Sequence, residues 1–289
     1  MTLPLDPFRA GPDVDAYIRR EDFEQSCEYL TAKLTDGPTW VGISGPPGVG
    51  KTLLARLLLR RLARRFSVVH VPESNLSPRE MERWIAAQLG AAAEPIAVLA
   101  ASRARAGRPL LVAIDEAQRA SSELVAWLES WCTGALCGRA VLVWTDAEDE
   151  RAPAALARCP ARVFVEPLGL AEVPTYVNAQ LTRAGASPEQ RAVLTGRTLD
   201  RIALASSGNP REIQRLADAE LSAHAWRSRS EAVRSAGRPG SSERAVASAP
   251  RSTAAAAARL ASPRHRRHSW LYPSVTAVAL AALAAAFMR

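Results

Sequence analysis

Lysine is nearly missing from this 289-residue chain: of 37 basic residues only Lys33 and Lys51 are lysine. A chain that uses arginine wherever a generic positive charge will do keeps a lysine where a compact ammonium is needed. Cysteine is also sparse. Cys27, Cys132, Cys137 and Cys159 show no CxxC pairing, which excludes a disulfide mini-protein and reads as small buried hydrophobes in a reducing compartment. The N-terminal stretch has neither a basic nor an apolar run of the kind a signal peptide needs, so none is expected. No internal repeat of 20–50 residues is visible. With 48% apolar and 23% charged residues, the composition excludes a disordered or collagen-like chain and predicts one large or two small globular domains.

The net charge of +8 is unevenly placed. Residues 227–289 hold 11 arginines and 2 acidic residues, a balance of +9, which leaves 26 basic and 27 acidic residues for 1–226. The body is neutral and the tail is basic. Apolar patterning divides the chain further. A lead-in and a helix occupy 1–36, the helix running from Glu21 to Leu34. Short apolar runs at Trp40–Ser44, Ser67–Val71, Pro109–Ile114, Ala140–Trp144 and Arg162–Val165 are predicted strands. Predicted helices lie between them, at Lys51–Arg65, Pro78–Leu89 and 94–106. Continuous apolar strands alternating with helices indicate a parallel sheet covered on both faces, an α/β domain over 37–168. Helices predicted at Ala171–Ala184, Pro188–Ser206 and Pro210–Ala225 form a small helical subdomain over 169–226. An Arg/Ser/Ala-rich linker, 227–269, and an uncharged stretch, 270–288, complete the chain.

The glycine-rich run Gly45-Pro46-Pro47-Gly48-Val49-Gly50-Lys51-Thr52 fits GxxxxGK[ST] in full, between a predicted strand and a predicted helix. Such a loop turns successive backbone N–H groups toward phosphates, and the helix N-terminus adds its partial positive charge. This makes residues 45–52, with Leu53 in the first helical turn, the predicted binding site for ATP. Lys51 reaches the β- and γ-phosphates and Thr52 offers a hydroxyl to Mg²⁺. Asp115 and Glu116 follow the third strand. There Asp115 can hold Mg²⁺ and Glu116 can polarise an attacking water, which points to hydrolysis; the alternative for such a pair alone is a helix N-cap. Thr145, with Asp146, ends the fourth strand, where it can touch the γ-phosphate or simply close a turn. Arg211, in Gly208-Asn-Pro-Arg-Glu, can fold onto the γ-phosphate or stand solvated in a first helical turn. Arg158 and Arg162, before and at the start of the fifth strand, are candidate arginine fingers for a neighbouring subunit, or solvated charges.

In this order, GPPGVGKT, LLVAIDEAQ, a polar strand end and GNPREIQRL, the residues resemble an AAA+ ATPase. More closely they resemble the general secretion pathway protein A (ExeA/GspA) type. The likeness is carried by Pro7-Phe8, Asp115–Gln118, the Leu168–Gly185 segment with Glu172, Tyr176, Leu181 and Ala184-Gly185, and Ser207–Leu216, and it covers roughly residues 4–225. The resemblance implies a mononucleotide-binding sheet with a helical lid, Mg²⁺-dependent ATP hydrolysis, and homo-oligomers whose sites lie between subunits. In secretion members a cytoplasmic ATPase domain precedes one membrane span and a periplasmic peptidoglycan-binding domain. Here the apolar stretch is followed by one residue, so wall binding is not expected, and the secretion role is correspondingly in question. Related ATPases of the group serve transposition and bind DNA.

The tail separates these readings. Residues 270–288 are 19 without a charge, about 28 Å as a helix against a hydrocarbon core of roughly 30 Å. Trp270 and Tyr272 suit an interface belt, and Arg264, Arg266 and Arg267 suit a cytoplasmic flank. The expectation is a single-pass bacterial inner-membrane protein with its ATPase domain in the cytoplasm, acting on an envelope or secretion-complex protein. The alternatives are a soluble ATPase that lays its basic arm on DNA, and a nucleotide-gated scaffold with little turnover. The alternative to a span is that 270–288 is a helix that packs on a partner or oligomerises through its small side chains. No aromatic residue is interleaved in the arm before Trp270, so base stacking has no support.

Overall fold

The computed structural model describes residues 8, 11–37, 39–92, 94–134, 138–146, 156 and 158–236. Helix α1 (Glu21–Asp36) carries acidic residues in its first turn and buries Phe23, Cys27, Leu30 and Leu34 along one stripe. It leads into β1 (Trp40–Ser44) and then α2 (Lys51–Leu62), whose buried face is Leu54, Leu58 and Leu62. After β2 (Ser67–Val71) come α3 (Pro78–Gln88) and α4 (Ile96–Arg105). Helix α3 starts at a capping box, Ser77 with Glu80, followed by proline at the first helical position. Then β3 (Leu110–Ile114), α5 (Ser122–Thr133), β4 (Arg139–Val143) and β5 (Arg162–Phe164) complete the sheet region.

All neighbouring strands are parallel, in the order β2-β3-β4-β1-β5. The inner strand β3 is buried at all five positions, as a strand covered on both faces must be. Side chains of α1 and α2 fill one face of the sheet, against Val41, Ile43, Leu111, Val141 and Val143. Those of α3, α4 and α5 fill the other, against Val69, Val71, Val112 and Leu142. Because β1 lies between β4 and β5 while its next strand in sequence, β2, lies at the sheet edge beyond β4 and β3, the chain leaves β1 at a switch point. A crevice therefore opens at the carboxyl ends of the strands.

Beyond the sheet, α6 (Val173–Arg183), α7 (Pro188–Val193), α8 (Arg197–Ser206) and α9 (Pro210–Ala236) form the helical lid. Its core is Leu168, Val173, Val177, Leu181, Leu194, Leu199, Ile202 and Ile213, together with Phe8 from the N-terminal segment. The residues after Phe8 return to the sheet region: Arg56 donates to Pro12 O at 2.9 Å, and Tyr17 stacks on Phe23 at 6.0 Å.

Two expectations need correction, and one helix was not foreseen. The single helix expected over Pro188–Ser206 is two helices, because the chain turns at Leu194–Gly196 and Gly196 adopts φ +47°. Helix α5 is an addition, although its buried Leu124, Val125, Leu128, Trp131 and Cys132 have helical spacing. Helix α9 continues to Ala236, past the expected start of the linker at 227. The remainder of that linker and the expected membrane helix 270–288 lie outside the described residues. Among the described residues no helix is long and apolar enough to cross a membrane.

Candidate nucleotide site

The loop between β1 and α2 is held open by its glycines. Gly50, at φ +105°, caps α2, and a Cβ there would meet the Phe23 ring at 3.1 Å. Gly48, at φ +83°, sits so close to the lid that a Cβ would lie 2.6 Å from Asn209 Oδ1. Val49 is fully buried and anchors the loop, while Leu53 packs partly buried against the same core. Lys51 curls back over its own loop, donating to Gly45 O at 3.0 Å and to Pro46 O at 2.7 Å. It is 8% exposed. Burial pulls its pKa below the ordinary lysine value, and the neighbouring Arg211 pulls the same way; Glu116 and Asp115 act against them. An anion placed before Lys51 would supply the countercharge that burial denies it.

Asp115 continues β3 by one residue, its N–H bonded to Val71 O at 2.9 Å. Its Oδ2 accepts the Thr52 hydroxyl at 2.5 Å, and its Oδ1 accepts the Glu116 N–H at 3.0 Å. A hydroxyl and a carboxylate at this separation are a hard oxygen pair of the kind Mg²⁺ takes, the remaining positions going to phosphate and water. They fit the metal. His70 approaches Asp115 Oδ2 at 4.0 Å, and burial lowers its pKa.

Glu116 is one of two non-glycine residues with positive φ among those described, at φ 53°, ψ 36°. Such a conformation costs on the order of 1–3 kcal/mol and persists where surrounding contacts hold it. Here the Ser74 hydroxyl donates to Glu116 O at 2.6 Å, and Gln118 Nε2 donates to Glu116 Oε2 at 2.7 Å. Arg119 lies 3.9 Å from the same carboxylate. Thr145 faces the cleft and gives its backbone N–H to Gln118 Oε1 at 3.1 Å.

The lid closes the site from above. Asn209, one residue before α9, donates from Nδ2 to Pro47 O at 2.7 Å and accepts the Arg211 N–H on Oδ1 at 3.1 Å. Arg211 thereby stands over the loop, its Cβ 3.0 Å from where a Gly48 side chain would begin. The resulting cleft of about 1460 Å³ is bounded by the N-terminal segment, the loop, Asp115, Glu116, Thr145 and the lid residues Tyr176 and Arg211. Small-molecule pockets run to roughly 300–1,000 Å³, so there is room for a nucleotide triphosphate with its metal.

The structure thus gathers Pro47–Leu53, Asp115, Glu116, Thr145 and Arg211 around one cleft, while Gly45 and Pro46 turn their carbonyls to Lys51 without lining it. Two expected residues stand apart. Arg158 pairs with Glu129 at 3.4 Å, and Arg162 lies over the Trp144 ring at 5.8 Å; neither lines the cleft of its own chain. Gln118 and Asn209 were not among the expected site residues. Both sit inside motifs already conspicuous in the sequence, DEAQ and GNPR, but each has one partner remote in the chain, Thr145 for Gln118 and Pro47 for Asn209.

Residues 35–149 match a family model described as an AAA domain. A variant of RuvB from Thermotoga maritima superposes with a TM-score of 0.50 at 20% identity, covering 73% of this chain and 64% of that one. A second variant of the same protein gives 0.49 at 19% identity, covering 72% and 63%. The chain therefore spans somewhat under two thirds of the RuvB chains it matches, and the likeness is one of fold. No curated protein matches the chain significantly. The parallel sheet order, the glycine loop, the acidic pair at the end of β3 and the AAA-domain match together support an AAA+ P-loop ATPase domain in this chain.

Proposed function

We propose that this chain is a Mg²⁺-dependent ATP hydrolase. On this reading it is anchored in a bacterial inner membrane through 270–288 and uses turnover to assemble or remodel an envelope complex. The observation that carries the catalytic part is the meeting of Lys51, Thr52, Asp115 and Glu116 in one cleft, with Thr52 and Asp115 hydrogen-bonded across 63 positions of sequence. Lys51 exchanges the Gly45 and Pro46 carbonyls for phosphate oxygens. Thr52 and Asp115 hold the metal, which when bound neutralises charge on the phosphates. Glu116 accepts a proton from the attacking water as the bond to the leaving diphosphate breaks. Arg211 moves with the lid and compensates charge on the terminal phosphate. Arg158 and Arg162, directed away from their own cleft, suit a role in the cleft of a neighbouring subunit. Purified protein is expected to release phosphate from ATP with Mg²⁺ and to stop when the metal is chelated; turnover unaffected by chelation would refute the metal's part.

The membrane part rests on the uncharged stretch 270–288 with its aromatic and arginine flanks. In alkaline carbonate, membranes from expressing cells should retain the full chain and release a version ending at Trp226. Release of both would favour the second reading, a soluble ATPase whose ten arginines over 227–268 bind DNA. That binding would weaken steeply with salt.

A further inference from the structure

Gln118, in the short turn Ala117–Arg119 after β3, is 9% exposed. Both ends of its amide are used: Nε2 donates to Glu116 Oε2, and Oε1 accepts the Thr145 N–H, two residues beyond β4. The partners fix which end faces which. A carboxylate only accepts and a backbone N–H only donates, so a flipped amide would set oxygen against oxygen and N–H against N–H. The Glu116 main chain is held separately, by the Ser74 hydroxyl. Gln118 is therefore the neutral hydrogen-bond donor on this side chain, beside the Arg119 guanidinium 3.9 Å from the same carboxylate, and its other end rests on the strand terminus that faces the cleft.

We propose that Gln118 is a positioning residue that aims the Glu116 carboxylate and couples its orientation to the end of β4. A nucleotide that displaces Thr145 then re-aims the base through the Gln118 amide. The inference rests on the reading of Glu116 as the group that activates water, so the test separates the two. Steady-state kcat and nucleotide Kd are measured for wild type, Gln118→Ala, Gln118→Glu and Glu116→Gln, and for each Gln118 variant combined with Glu116→Gln. Misplacing a reacting group by about an ångström can cost on the order of 10²-fold. Gln118→Ala should accordingly lower kcat by about 10–100-fold while Kd moves less than about threefold. Gln118→Glu is nearly isosteric and keeps an acceptor for the Thr145 N–H while setting a like charge against Glu116. It should lower kcat at least as far, and it decides the matter if the alanine variant does not fold. Combined with Glu116→Gln, either Gln118 change should alter the residual kcat by less than about twofold, because the carboxylate it acts through is gone. An equal fractional loss in both backgrounds would mean a merely structural residue, and wild-type kcat in both Gln118 variants would overturn the proposal outright. Wild-type turnover in Glu116→Gln would instead remove the reading of Glu116, and the proposal with it.

Discussion

Glu116→Gln is expected to bind ATP like the wild type and to hydrolyse it about 10²–10⁴-fold more slowly, the range of a lost general base. The substitution changes little else. The glutamine keeps an oxygen that can accept from Gln118 Nε2, and the Ser74 bond to the main-chain carbonyl is untouched. Thermal stability should consequently stay close to that of wild type. Phosphate release and nucleotide binding, measured side by side, check the expectation, and near-wild-type turnover would contradict it.

Lys51→Ala is expected to act one step earlier, on binding. A hydrogen bond to a charged group is worth roughly 1.5–3 kcal/mol, and each 1.4 kcal/mol is tenfold in affinity. With two phosphates served by one ammonium, nucleotide Kd should rise by about two orders of magnitude. The free protein should hardly suffer. Its buried ammonium satisfies only carbonyls of its own loop and is disfavoured by burial, so removing it relieves about as much as it loses. In thermal melts the variant should match the wild type without ligand and lose the upward shift that ATP gives the wild type. Lys51→Arg should not restore binding, because a planar guanidinium does not fit where a compact ammonium lies between the Gly45 and Pro46 carbonyls. Retained binding in either variant would contradict the role given to Lys51.

Much of this site was legible because its signals are local. The apolar runs of β1 and β2 have the expected ends, and the glycine loop is defined by eight consecutive residues between a strand and a helix. Asp115 and Glu116 were placed by their position after an apolar strand. What escaped is of two kinds. Leu194, Leu199 and Ile202 bury toward the same core, so their apolar pattern runs on past the turn at Gly196 and hides it. The bonds from Gln118 to Thr145 and from Asn209 to Pro47 span 27 and 162 positions. An amide side chain has no periodicity and a backbone partner has no identity, so neither bond leaves a trace in the sequence. Arg158 and Arg162 show the converse: arginine is so common here that its type says little about which one lies near a phosphate.

The seat of Phe8 in the lid core bears on how far the lid can travel. The lid joins the sheet through the chain after β5, and Phe8 gives it a second attachment, since the residues that follow Phe8 return to Arg56 and Phe23. Small rotations can carry Phe8 along with the lid core in which it is buried. A wider swing must withdraw the ring into water, against roughly 1.5–3 kcal/mol for a side chain of that size. The burial of Phe8 is thus a restraint on full opening, and it keeps Arg211 and Asn209 at high effective concentration over the glycine loop.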